Sequence, residues 1–300
     1  MQNSSVAFRA IHRGFCVLVL AFLILPILVI VPLSFNAQPY FTFTADMIAL
    51  RPEGYSWRWY LDVLENGMAD PAQPKWTIDY LRDVWAHGQW VQAARNSVLI
   101  GLSATAVATV LGTVAALGLS QADLPWKKAI MAVILSPMIV PIVITSAAFY
   151  FFFSAVGLAH TYLGIILAHA LLGVPFVVIT VTATLSSFDR AVTRAAASLG
   201  AGPLTNFRRV TLPLIFPGVA SGALFAFIAS FDEVVAVIFL AAPEQRTIPR
   251  QMWSGIREQI SPTILAVATI LIVFAVALLA TIELLRRRSE KLSGRFSAVA

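Results

Sequence analysis

The sequence predicts an all-α membrane protein with about six transmembrane helices and both termini in the cytoplasm. Three observations predict it. Of the 300 residues, 59% are apolar and only 12% charged, whereas a soluble domain carries roughly 25% charged residues. The apolar residues are also clustered. The stretches 14–35, 97–121, 129–159, 161–188 and 261–282 contain no Asp, Glu, Lys or Arg, and 210–242 contains only Asp232 and Glu233. Each reaches the roughly 20 residues that cross a hydrocarbon core of about 30 Å at 1.5 Å per residue. Finally, the basic residues are unevenly placed. Thirteen of the 21 Lys and Arg fall in four segments: Arg9 and Arg13; Lys127 and Lys128; Arg190, Arg194, Arg208 and Arg209; and Arg286, Arg287, Arg288, Lys291 and Arg295. With six spans these segments share one side, which the positive-inside rule makes cytoplasmic. The net charge of +6 therefore reports topology, and no nucleic-acid partner is implied.

Taken in order, the spans are about 14–33, 97–119, 130–153, 162–185, 211–241 and 263–285. Residues 1–33 form a tail and the first span. Arg9, His12 and Arg13 precede that span like the start of a signal peptide, but its apolar run is long and no clear A-x-A site follows, so it reads as uncleaved. Cys16 is the only cysteine, which excludes an intrachain disulfide and a cysteine zinc site. Residues 34–96 form an extracytoplasmic segment carrying Trp57, Trp59, Trp76, Trp85 and Trp90. Short helices are expected over 57–64 and 77–85. Their aromatic residues suit a membrane interface or a docking surface. Residues 97–285 are the membrane core and 286–300 a basic cytoplasmic tail.

Several spans hold prolines: Pro26, Pro137, Pro141, Pro175, Pro213 and Pro217. Neighbouring groups in a bundle can satisfy the carbonyls they free. Small residues recur at four-residue spacing: Ala104, Ala108 and Gly112; Ser97, Gly101, Thr105 and Thr109; Gly218, Gly222 and Ala226. Such stripes let backbones approach, either inside one bundle or against a partner subunit. His160 reads as a loop residue and His169 as a buried polar one.

The segment 186–213 is longer than a plain connection requires. Asp189 can cap a short helix, and Ser186 with Asp189 has capping-box spacing. Ala195, Ala196 and Ala197 favour helix. Gly200 suits the residue just past its end, before the turn Ala201-Gly202-Pro203. A second short helix then leads through Leu212-Pro213 into the fifth span.

These residues resemble the cytoplasmic motif of binding-protein-dependent ABC importer permeases of the type I fold. That motif reads Glu-Ala-Ala, three residues, Gly, nine residues, then Ile-x-Leu-Pro. Here Arg194-Ala195-Ala196 is followed at that spacing by Gly200 and by Val210-Thr211-Leu212-Pro213. Arg194 departs from the pattern and reverses the charge. The resemblance covers 97–285 as topology and 186–240 as motif. It implies that Arg194, Ala195, Ala196, Gly200, Leu212 and Pro213 belong to a coupling helix docking on a separate ATPase subunit. The chain contains no G-x-x-x-x-G-K-[ST] phosphate loop, so ATP and Mg would be held by that ATPase, with no cofactor in this chain. The implied assembly has a second permease subunit (a paralogue, if the polyamine subgroup is the guide), two ATPases and a soluble extracytoplasmic binding protein, set in lipid of a bacterial inner membrane.

Asp232 and Glu233 lie within the fifth apolar stretch. Each charge at a span centre costs about 2.5–3.5 kcal/mol, so the pair needs a reason. Helical spacing would place Glu233 with Gly222, Ala226 and Ala229, and Asp232 about 100° away. Ser230-Phe231-Asp232-Glu233 looks like the acidic motif in the second permease of spermidine/putrescine importers, which implies a cationic amine as cargo and these four residues on its path. An importer for an opine, amino-acid derivative, sulfate or iron would share the loop. A stand-alone channel or secondary transporter would not need it.

Overall fold

The computed structural model describes residues 2–121, 124–186, 189–258, 261–277 and 280. They are helical almost throughout. Among them the one β pairing is a single bridge between Asn36 and Tyr55. They fall into two compact units, Met1–Gln89 with Ser254–Ala300, and Trp90–Trp253. The end of the predicted span 263–285 and the basic tail 286–300 lie outside the described residues.

In the first unit, α1 (Gln2–Leu33) carries Pro26 and Pro32 without interruption, and its apolar side chains from Phe8 to Leu28 are almost all exposed, as lipid contact requires. The segment that follows folds around buried polar groups. The Asn36 amide donates to Tyr40 O (2.9 Å) and Thr42 O (2.8 Å), while its backbone carbonyl accepts from Trp59 Nε1 at 2.7 Å. Helices α2 (Ala45–Ile48) and α4 (Ile78–His87) start at Thr44 and Thr77, whose hydroxyls accept first-turn N–H groups; α3 spans Arg58–Glu65. The two expected short helices are therefore present. Asp83 gathers the loop before α4 by accepting from the N–H groups of Ala69 and Asp70 and from Gln73 Nε2. The bonds from Asp70 and Ala69, with His87 adding to them, hold its carboxyl below the usual aspartate range. Helix α14 (Thr263–Ala277) begins at Thr263, whose hydroxyl donates to Asp62 at 2.5 Å.

The second unit contains most of the core. Helix α5 (Gln89–Leu119) starts well before the apolar stretch at Ser97, because 89–96 continues the helix with an amphipathic turn. Helix α8 spans Tyr162–Ser186 and α11 Leu212–Phe231. All three meet at Gly112, Gly173 and Gly222. A Cβ on Gly112 would lie 2.6 Å from Val177 Cβ, and one on Gly222 2.8 Å from Val177 Cα. One on Gly173 would sit 3.1 Å from Ala226 Cβ and 3.2 Å from Ala108 Cβ. The small-residue stripes thus pack within this chain.

The predicted span 130–153 is not a single helix. It forms α6 (Lys127–Ile139) and α7 (Ile142–Ala155), bent by 103°. The cause is local. Pro141 bars its predecessor from helical backbone, and Val140 is extended at φ −71°, ψ 134°. By length and composition, Phe8–Leu33, α5, α8 and Pro203–Phe231 can each cross a membrane, and the α6–α7 pair gives a fifth stretch. Helix α14 is the described part of the sixth.

Candidate functional site

The connection after α8 folds from local signals. Helix α9 (Arg190–Ser198) starts at Asp189, whose carboxylate accepts the N–H of Ala191 at 2.8 Å. The N-cap of this helix is Asp189, not Ser186. Ser186 ends α8, and its hydroxyl donates to Ala183 O. At the other end Gly200 N–H donates to Ala197 O (2.9 Å) and Ala201 N–H to Ala196 O (3.0 Å). This is the Schellman pattern, and it needs a left-handed residue. Gly200 supplies φ +86°, in open space where a Cβ would touch nothing. The glycine is there for its backbone, not for close packing.

Helix α10 (Pro203–Asn206) is tied back to α9 by Asn206 Nδ2, which donates to Thr193 O at 2.8 Å. A wide π turn, Phe207–Thr211, then closes with Leu212 N–H donating to Phe207 O. Pro213 explains the widening, since it has no N–H to give and its ring crowds the carbonyl four residues back. The motif residues divide by surroundings. Arg194 and Ala195 are exposed and Ala196 half-buried, while Leu212 packs on the core beside Leu185 and Ile215. Leu199 (90% exposed) and Leu204 (67%) leave apolar surface uncovered on the loop.

The fifth apolar stretch ends as a helix at Phe231, which corrects the continuous span 211–241. Asp232 is the C-cap, with its N–H on Ile228 O and its side chain exposed. The six-residue helix α12 (Val235–Leu240) follows. Glu233 accepts the N–H of Ala236 at 2.9 Å and so satisfies its first turn. Glu233 therefore does not share a helix face with Gly222 and Ala226, and the carboxylates sit in a gap between two helices. The physical reason is local: Glu233 meets the open N-terminal turn of α12, where a carboxylate is favoured, a partner that an unbroken helix wall would not offer.

Both flanks of this break are pinned. On one side Ser230, buried, lies 2.8 Å from His169 Nδ1 on α8, and Phe231 packs on Phe227. On the other, Arg250 of α13 (Ile248–Glu258) donates to Val237 O (3.2 Å) and Ala241 O (3.0 Å) at the end of α12. Asn96 holds the next turn by donating to Glu244 O and Arg246 O, and Tyr162 donates to Asn96. His160 is a turn residue at φ +59°, as expected, with its N–H on Leu240 O.

Comparison with known proteins decides what kind of molecule this is. Residues 94–291 match the family described as binding-protein-dependent transport system inner membrane component. The chain belongs to that family. This inner membrane component is 29% identical over 280 residues to the spermidine/putrescine transport system permease protein PotC of Haemophilus influenzae, covering 93% of this chain and 98% of the relative. It is 32% identical over 260 residues to the putrescine transport system permease protein PotI of Escherichia coli, covering 84% and 82%. Its fold is similar, at a TM-score of 0.65 and 15% identity, to a chain in the crystal structure of a bacterial ABC transporter involved in the import of the acidic polysaccharide alginate; the match covers 95% of this chain and 97% of that one. The chain is thus a multi-pass ABC importer permease of the inner membrane.

His169 is buried and polar as expected, and three contacts of this permease lay beyond the sequence reading. The partner of His169, Ser230, lies 61 positions away. Arg250 reaches carbonyls 13 and 9 positions away, across a turn that no local pattern marks. Asn206 had a signal, a polar residue at the end of a short helix.

Proposed function

We propose that this permease is one transmembrane half of an ATP-driven importer that carries spermidine, putrescine or related cationic amines into the cytoplasm. The observation that carries the reading is the acidic break. Asp232 and Glu233 sit at a gap in the membrane helices, held by Ser230 and Phe231 on one side and α12 on the other. An extended polycation needs carboxylates where water is scarce, and a backbone gap lets them reach a path. The printed names of PotC and PotI support the same cargo class.

The chain itself is non-catalytic in this reading. ATP and Mg are held by two separate ATPase subunits, a paralogous second permease completes the path, and a soluble extracytoplasmic protein delivers cargo. Arg194, Ala195, Ala196 and Gly200 meet the ATPase, while Leu212 and Pro213 transmit its motion to α11. The test is Asp232→Asn in the assembled complex. Losing one charge-assisted contact, worth about 1.5–3 kcal/mol, lowers polyamine uptake roughly tenfold or more while ATPase subunits still co-purify. Unchanged uptake overturns the cargo role of the break.

A further inference from the structure

We infer that His169 is a positioning residue that sets where the cargo-contacting break emerges. The inference rests on the reading that Ser230–Glu233 meets cargo. It starts from an oddity of composition. His169 is the one titratable side chain in α8 apart from Tyr162 at its first position, and it is 1% exposed in the middle of an apolar helix. A buried imidazole without a partner is costly, so its bonds carry information. Its Nδ1 lies 2.8 Å from Ser230 Oγ, and this is a bond between two buried side chains on different helices. Among the described residues its Nε2 is buried with no partner. All of its polar anchoring is therefore committed to Ser230.

The position of Ser230 gives the bond its consequence. It stands in the last turn of α11, one residue before the helix ends and two before the acid pair. Below it, α8 and α11 are locked at Gly173 against Ala226. Ala226 and Ser230 are four residues apart on one face, as are His169 and Gly173, so the hydrogen bond is the next rung of the same helix–helix contact. It is the rung nearest the break. Without it α11 can fray or rotate there, and Asp232 and Glu233 shift while the contact at Gly173 holds. Beyond the break, Glu233 and Arg250 hydrogen-bond the two ends of α12, and Val237 and Leu240 pack it into the core with Phe153 and Ile165, so the far side of the break is fixed independently of His169.

Side-chain geometry supplies a discriminating test. Asparagine places a polar atom near the position of Nδ1, and glutamine places one near Nε2. His169→Asn, His169→Gln and His169→Leu are compared with Asp232→Asn in the full complex, reconstituted in proteoliposomes and probed with putrescine and spermidine. Loss of a buried hydrogen bond of ordinary strength predicts that Leu and Gln raise the half-saturation for cargo roughly five- to tenfold. Asn stays within about twofold, because it restores the bond. Basal ATPase activity and the amount of assembled complex stay at the parent level in all three. If Asn and Gln behave alike, or if Leu changes assembly and not cargo affinity, His169 is only a packing residue and the inference falls. If Leu fails to assemble, the Asn–Gln contrast still decides. If Asp232→Asn leaves uptake unaltered, the cargo reading fails instead.

Discussion

Residue Arg194 is the point where this chain departs from its own motif. Its place on α9 puts the guanidinium on the exposed side of the loop after α8, while its carbonyl accepts from Ser198 Oγ within the helix. The reversed charge is therefore presented outward and is not absorbed by the loop. On the docking surface proposed above, such a charge requires an opposing one on the partner. Arg194→Glu is expected to weaken co-purification of the ATPase subunits about tenfold, with Arg194→Ala intermediate, and this is measured by titrating detached ATPase onto the solubilised permease. Equal affinities for all three forms would remove Arg194 from the interface. Much of this loop was legible at residue level because its signals are local. Asp189 caps within two positions, and Gly200 needs only its own φ. His169 and Arg250 were not legible in the same way, since their partners are set by tertiary packing that one sequence does not reveal.

At the scale of elements, the strongest statements concern glycines that look alike in sequence. Gly222 and Gly118 both lie in long apolar helices, yet only Gly222 faces another backbone. A methyl at 222 meets Val177 Cα at 2.8 Å, whereas one at 118 meets nothing within 4 Å. Gly222→Ala should destabilise the permease by about 1–3 kcal/mol through overpacking. Gly118→Ala should stabilise it by roughly 0.5–1 kcal/mol through helix propensity. Thermal unfolding in detergent reads both, and equal shifts would deny the α8–α11 contact. The same scale shows why hydropathy misplaced element ends. The apolar run 210–242 continues straight through the break at Asp232, because α12 is as apolar as α11. The bend at Pro141 was foreshadowed by the proline but not its size. The early start of α5 was hidden because 89–96 is helical without being apolar.

For the whole molecule the decisive property is sidedness. The basic segments, including Arg208 and Arg209 of the π turn, are predicted to face the cytoplasm, and the segment built on α3 and α4 the outside. Because Cys16 is the only cysteine, a Cys16→Ser background gives a clean labelling test. Arg82→Cys should react with an impermeant maleimide in right-side-out cells, and Thr205→Cys only in inverted vesicles lacking the ATPases. The opposite pattern would reverse the topology. One feature of the break also bears on how such a transporter can diversify. Glu233 serves two masters in the function proposed above: it closes the first turn of a helix too short to persist by its own propensity, and it presents negative charge to the cargo. A lineage exploring new solutes at this position cannot draw on all twenty amino acids. It can discard the charge by taking up Gln, Ser, Thr or Asn and still offer the Ala236 N–H an acceptor; Leu or Lys would leave that first turn of α12 uncapped and weaken a helix that its packing on Phe153 and Ile165 still holds. If the break meets cargo as proposed, solute preference is inherited together with a folding requirement, and the routes open to its evolution are correspondingly few.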